Sequence, residues 1–176
     1  VWEAKDTTYL VMYWQENANY NNVYLDESIR DKEQYSYVAS KTKSGKTGTQ
    51  TKVSGWKETV PADFTLKTIE QQTIAGDGST VVNVYLDRKT YTVKFMKEEW
   101  EIWHYTWKED ESKRITAKYG ADVSSRWPKT EKVWSVTEKG GPYQSNLMIM
   151  ERDMTFYYAG KESDEKAYYY IQTLPG

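Results

Sequence analysis

The sequence TTYLVMY at residues 7–13 and KTYTVKF at residues 89–95 shares the pattern Thr-Tyr-x-Val-x-aromatic, and this repetition decides the predicted fold. The tyrosines of the two copies, Tyr9 and Tyr91, are 91 − 9 = 82 residues apart. A weaker third copy, KAYYYI at residues 166–171, places its first tyrosine 168 − 91 = 77 residues further on. A pattern that recurs at a nearly constant interval indicates repeated modules. We therefore predict two tandem modules, residues 1–88 and 89–176.

Alternating apolar and polar residues predict strands around the second copy. In residues 90–96, Tyr91, Val93 and Phe95 are expected on one face of a strand. Before it, the turn residues Gly76-Asp77-Gly78 precede a strand at residues 80–87. The side chains of that strand that we expect to be buried are Val82, Val84 and Leu86.

The remaining segments give weaker signals. Residues 96–99 are interpreted as a turn before a strand at 100–107, and residues 38–53 as a long exposed hairpin or loop. A short helix is predicted at residues 121–127, capped by Asp122 and ended by Pro128, with a second candidate at residues 25–33. Strands with one short helix per module predict a β-rich α+β class.

The composition favours thin sheets filled by aromatic side chains. Aromatic residues make up 15 % of the 176 residues, while the mean hydropathy is −0.88, so rings must supply much of the core. Charges of both signs are interspersed and sum to −2, which argues against a nucleic-acid stripe or a membrane-surface anchor. With no cysteine and one histidine, neither a metal site nor a cofactor is expected. Absence of cysteine is common in proteins exported by Gram-positive bacteria.

Three stretches resemble the InlB B-repeat family, the Listeria–Bacteroides surface repeats. They are residues 7–19 (TTYLVMYWQENAN), 68–95 (TIEQQTIAGDGSTVVNVYLDRKTYTVKF) and 115–128 (ITAKYGADVSSRWP). The most specific part is GDGSTVVNVYLDRKTY within the second stretch. The chain departs from the shortest repeats by extra length at residues 31–55, and by Met-Glu-Arg-Asp at 150–153 where many relatives have a Met-Pro-Gly turn.

The resemblance implies that each module is a small β-grasp (ubiquitin-like) fold, in which a sheet wraps over a short helix. It also implies a multi-repeat protein anchored to the cell wall of a Gram-positive bacterium, of which this chain is a monomeric segment. Members of the family serve as stalks, adhesins and binders of host factors, and they share no catalytic site. We therefore expect an extracellular, cell-surface location and no enzymatic activity.

The titratable residues do not predict catalysis on their own. The acidic clusters at residues 98–101 and 109–111 lie among lysines and are interpreted as solvated charged turns. A glycosidase would instead need two carboxylates opposed on rigid strands. His104 lacks the partners of a catalytic triad, so we interpret it as a half-buried strand residue.

The run WEIWHYTW at residues 100–107 contains the candidate partner-binding residues Trp100, Trp103, Tyr105 and Trp107. On a continuous strand, Trp103, Tyr105 and Trp107 share one face and Trp100 lies on the other. A half-buried strand needs only one apolar face. The run is therefore either a central strand covered on both sides or an exposed aromatic patch that binds a protein or glycan.

Three functional hypotheses follow. The leading one is an adhesin-type module that binds a host protein, such as an immunoglobulin, a matrix protein or a glycoprotein. The second is a purely structural spacer, which predicts that Trp103 and Trp107 are buried. The third is a carbohydrate-binding module, because Trp and Tyr rings stack on sugars. Edge strands and the polar segment 41–52 are further surfaces at which a partner is expected.

Overall fold

The computed structural model describes residues 3–19, 34–129 and 132–161. The chain divides into two compact units between Lys89 and Thr90. Within these ranges, each unit has one mixed β-sheet, in which parallel and antiparallel pairs occur together.

The first unit has a four-stranded sheet made of β1 (Asp6–Glu16), β2 (Tyr35–Lys46), β3 (Phe64–Leu66) and β4 (Val81–Arg88). The strand order is β2-β1-β4-β3. Strand β1 lies in the middle, antiparallel to β2 and parallel to β4. Strands β1 and β4 lie side by side at the centre of the sheet, so their alternate side chains point to the same face and pack into a common core.

Apolar residues of β1, β4 and the segment between β2 and β4 form that core: Tyr9, Val11, Tyr13, Val53, Ile74, Val82 and Val84. The ring of Trp56 packs edge-on against Tyr13, with 5.3 Å between ring centroids. Leu86 is also buried, so the predicted buried set of β4 is confirmed. The predicted turn at Gly76-Asp77-Gly78 is present as well, with Gly78 at a φ of 76°.

The second unit has a sheet of six strands: β5 (Thr90–Glu101), β6 (His104–Glu109), β7 (Ile115–Lys118), β8 (Lys132–Ser135), β9 (Tyr143–Gln144) and β10 (Met154–Lys161). The main order is β6-β5-β10-β8-β9, and β7 pairs with the first part of β5. Val93 and Phe95 of β5 are fully buried, and Tyr91 packs against the same core. The predicted inward face of this strand is therefore confirmed.

Both copies of the repeated pattern lie in corresponding strands. Tyr9 belongs to β1 and Tyr91 to β5, and each of these strands pairs in parallel with a later strand of its own unit, β4 or β10. Each also pairs with an antiparallel strand on its other side. Parallel pairing of two strands far apart in sequence is thus common to both units.

The predicted α+β class, with two β-grasp modules, is wrong. The fold is essentially all-β, and the described ranges hold two three-residue 3-10 turns, Glu111–Lys113 and Ser124–Arg126, but no α-helical element. The predicted helix at 121–127 is reduced to the second of these turns. Asp122 Oδ1 accepts hydrogen bonds from the Ser124 backbone N–H at 3.0 Å and from its hydroxyl at 2.6 Å, which closes a local turn instead of starting a helix.

Two of the segment assignments also need correction. Residues 96–99 are not a turn, because β5 continues through them to Glu101. The segment 38–53, predicted as a long exposed hairpin or loop, is strand β2 as far as Lys46, and β2 pairs along its whole length with β1. The second helix candidate, residues 25–33, and the third sequence copy, residues 166–171, lie outside the described residues.

A buried carboxylate links the end of β1 to the end of β4, and the sequence pattern does not reveal it. Glu16 is buried, and its Oε1 accepts a hydrogen bond of 3.0 Å from the Arg88 backbone N–H. Its Oε2 accepts one of 3.2 Å from Gln34 Nε2, while Arg88 Nε donates to the Glu16 carbonyl oxygen at 2.7 Å. A buried charge with several donors is well compensated, but its removal leaves donors without acceptors.

We expect Glu16→Ala to lower the free energy of unfolding by about 1–3 kcal/mol, because the Arg88 N–H loses its carboxylate acceptor in a buried place. Proton–nitrogen correlation NMR in increasing urea measures this, because the amide peaks of β1 and β4 report on the first unit alone. Glu16→Gln is the matched control, since its amide oxygen can still accept from Arg88. A loss below about 0.5 kcal/mol in the alanine variant would show that the hydrogen bond to the Arg88 N–H does not stabilise the first unit.

Candidate functional site

Strands β5 and β6 form a hairpin that extends past the rest of the second sheet. The two strands pair from Met96 opposite Glu109 to Glu101 opposite His104. Strand β10, the neighbour on the other side of β5, pairs with it only from Val93 to Met96. Within the described residues, the hairpin beyond Met96 is therefore a two-stranded ribbon.

One face of this hairpin is aromatic. Trp100 lies opposite Tyr105, and Glu98 opposite Trp107, so these side chains share one face. The rings of Trp100 and Tyr105 meet edge to face at 4.9 Å between centroids. Trp107 makes the same kind of contact at 5.1 Å with Tyr157 of β10. We call Trp100, Tyr105 and Trp107 the aromatic face.

The opposite face is charged and paired. Lys108 forms ion pairs with Glu101 and, at 3.6 Å, with Glu99, which Lys97 also approaches to 3.5 Å. The hydrogen bond that Lys108 donates to the Glu101 carboxylate is the main cause that raises the pKa of Lys108. These glutamates were predicted in solvated turns, but they lie on a strand. Their ion pairs link β5 to β6 and help to hold a ribbon that has no second layer.

The tip of the hairpin is a two-residue turn made of large apolar residues. Ile102 and Trp103 have φ angles of 24° and 76°, and 83 % and 87 % of their surface is exposed. Positive φ at both positions suits Asn-Gly, whereas a β-branched residue there is a steric outlier. Such strain costs on the order of 1–3 kcal/mol per residue and is concentrated at functional sites. The tip thus keeps an exposed indole where stability alone would favour small residues.

The four candidate residues come together on the hairpin, but in a different arrangement from the predicted one. Because the turn falls at Ile102 and Trp103, Trp100 shares a face with Tyr105 and Trp107, and Trp103 stands at the tip. A central strand covered on both sides is not found, since Trp100 is 59 % and Tyr105 63 % exposed. Trp107 is half-buried.

Two further predictions can be placed. His104 was expected to be half-buried but is exposed at the start of β6, with its Nδ1 3.2 Å from the Ile102 carbonyl oxygen. The polar segment 41–52 is the second half of β2 and the residues after it, and β2 lies at an edge of the first sheet. Tyr157, which supports Trp107, was missed because its position depends on the parallel pairing of β10 with β5.

Among the described residues, no group of three or more His, Cys, Asp or Glu side chains could hold a metal ion. No helix in that part of the chain is long and apolar enough to cross a membrane. No protein-family model matches the chain, and no curated protein matches it. The resemblance to InlB B-repeats therefore stays a prediction.

Proposed function

We propose that this chain is a segment of a bacterial cell-surface protein that binds a host protein through the aromatic face and tip of the β5–β6 hairpin. The observation that carries the proposal is the exposure of Trp100, Trp103 and Tyr105 on a ribbon that extends past its sheet. Tryptophan and tyrosine dominate the energetics of protein interfaces because they bury a large area with few rotatable bonds.

The arrangement of charge supports a one-sided contact with a partner. On the charged face, Lys108 pairs with both Glu99 and Glu101, so neither glutamate needs a charged group from a partner. On the aromatic face, Trp100 and Tyr105 present apolar surface to solvent. An exposed apolar cluster rimmed by polar residues is typical of an interaction site. The partner is a protein such as an immunoglobulin, a matrix protein or a glycoprotein.

The cell-surface location and the lack of enzymatic activity are supported by the resemblance to InlB B-repeats and by the absence of cysteine from the sequence. The spacer alternative predicted that Trp103 and Trp107 are both buried. Trp107 is half-buried, but Trp103 is one of the most exposed apolar residues of the described chain. This exposure favours a binding module over a spacer.

A pull-down from serum and mucosal secretions with the immobilised chain tests the proposal. We expect the wild-type chain to capture a host protein, and the double variant Trp100→Ala/Trp103→Ala to lose it, since truncation of a hot-spot residue costs about 2 kcal/mol or more. Tyr37→Ala is the matched control, because Tyr37 is an exposed aromatic residue, 54 % accessible, in the first unit.

Far-UV circular dichroism of each variant checks that it is folded. Capture that depends on the hairpin residues but not on Tyr37 supports the proposal. Equal capture by the double variant and the wild-type chain would reject the hairpin as the binding site. A blank from both fluids with the folded wild-type chain would count against host-protein binding itself.

A further inference from the structure

A groove begins where the aromatic face of the hairpin meets the rest of the second sheet. It has a volume of about 380 Å³, which is at the lower end of small-ligand pockets. One wall is the edge-to-face pair of Trp107 and Tyr157. The other wall is formed by Glu138 and Lys139 of the turn between β8 and β9 and by Tyr143, the first residue of β9.

The turn holds Tyr143 in place at the rim of the groove. Thr137 Oγ1 donates a 2.7 Å hydrogen bond to the Gly141 carbonyl oxygen across the turn. Gly140 has a φ of 93°, and a Cβ atom at this position would stand 3.0 Å from the Tyr143 hydroxyl oxygen. Glycine suits this position because its φ lies in the left-handed region, and it leaves room beside the Tyr143 hydroxyl. Tyr143 is 47 % exposed, which leaves part of its ring accessible.

Polar groups face the same space from both walls. Glu98 of the hairpin and Glu138 of the turn line the groove, and both are exposed. In the described part of the chain, neither carboxylate makes a hydrogen bond or an ion pair. The groove thus combines ring faces, which carry partial negative charge, with carboxylates that can each accept two hydrogen bonds.

We propose that this groove is a saccharide site that takes a neutral hexose residue of a glycan. A hexose has one face of polarised C–H groups, which suits an aromatic ring, and a rim of hydroxyl donors, which suits a carboxylate. Glu98 and Glu138 outnumber Lys139, so a sialic or uronic acid would meet a net negative charge. Saccharide binding at this site requires the groove residues and does not require the hairpin tip. Together with the hairpin tip, it would direct the chain to a glycoprotein.

Titration of the full chain with lactose, cellobiose and mannobiose to tens of millimolar, followed by proton–nitrogen correlation NMR, tests the site. We expect at least one of these neutral disaccharides to shift the Trp107 indole N–H and the amides of Glu138 and Lys139 in a saturable way. Sialyllactose, which carries a carboxylate, is expected to leave them unshifted. Failure of all three neutral probes, or an equal response to sialyllactose, would overturn the proposal.

Two variants link the shifts to the groove. Tyr143→Ala removes an exposed ring, and Glu98→Gln removes a charge without changing size, and each is expected to weaken saccharide binding by about tenfold or more. Unchanged binding in both folded variants would contradict the site. Trp103→Ala separates the two proposals, because it removes the tip and not the groove. Loss of saccharide shifts in that variant would place the sugar at the tip instead.

Discussion

Replacement of Phe95 by alanine is expected to lower the free energy of unfolding of the second unit by about 3–5 kcal/mol. Phe95 is fully buried at the centre of that core. Its ring centroid lies 5.2 Å from that of Trp127, 4.8 Å from Trp134 and 5.7 Å from Phe156. Three rings thus lose a shared neighbour, and large aromatic groups cannot collapse to fill the space.

Proton–nitrogen correlation NMR in increasing urea measures this effect, because the amide peaks of β5 report on the second unit alone. A two-unit chain need not unfold in one step, so a global signal would mix separate transitions. Phe95→Leu is the matched control and should cost clearly less, because it keeps most of the apolar volume. A loss below about 1 kcal/mol in the alanine variant would show that Phe95 is not central to the core.

Strands with one buried face could be predicted from the sequence alone. In β4, the alternation of Val82, Val84 and Leu86 with exposed residues matches the period of two that a half-buried strand imposes. The same holds for Val93 and Phe95 in β5. In these strands the local pattern and the tertiary packing agree, so a short stretch of sequence is enough to predict which side chains are buried.

The hairpin could not be located from the sequence, because its turn lacks the residues that are typical of two-residue turns. Residues 97–99 are charged and look like a connection, while Ile102 and Trp103 lack the glycine or asparagine of a two-residue turn. The predicted turn is therefore six residues too early (102 − 96 = 6). For the same reason Trp100 was predicted on the face opposite to Tyr105, whereas the two residues share a face. The predicted helix failed for a related reason. Asp122 can cap a helix, but it also forms a β-bridge with Ile149, and only tertiary structure decides between them.

The candidate residues of the hairpin could be found by composition, but the groove could not. Glu98 and Trp107 come together through strand register, and Tyr157 joins them through parallel pairing with a strand about 60 residues later, 157 − 96 = 61. Tyr143 arrives from a fourth segment. No single stretch of sequence contains the pattern of the groove, so periodicity gives no signal for it.

The double variant Ile102→Asn/Trp103→Gly is expected to be more stable than the wild-type chain and yet to lose capture of the host protein. Asparagine and glycine accept the positive φ angles of the turn, so the variant should relieve about 1–3 kcal/mol of backbone strain. In a chain of this size, that corresponds to a rise in Tm of several degrees. Thermal denaturation followed through the amide peaks of β5 and β6 measures the stability, and the serum pull-down measures capture in the same preparation.

The single variant Ile102→Asn separates strain from recognition. It relieves the backbone strain of a β-branched residue at position 102 but keeps the indole of Trp103, which is 87 % exposed. We therefore expect this variant to gain stability and to retain capture. A residue kept in an unfavourable conformation at the cost of stability is expected only where its side chain has another use. If the double variant is less stable than the wild-type chain, the turn is not strained. If it is more stable and still captures the partner, Trp103 is not part of the binding surface.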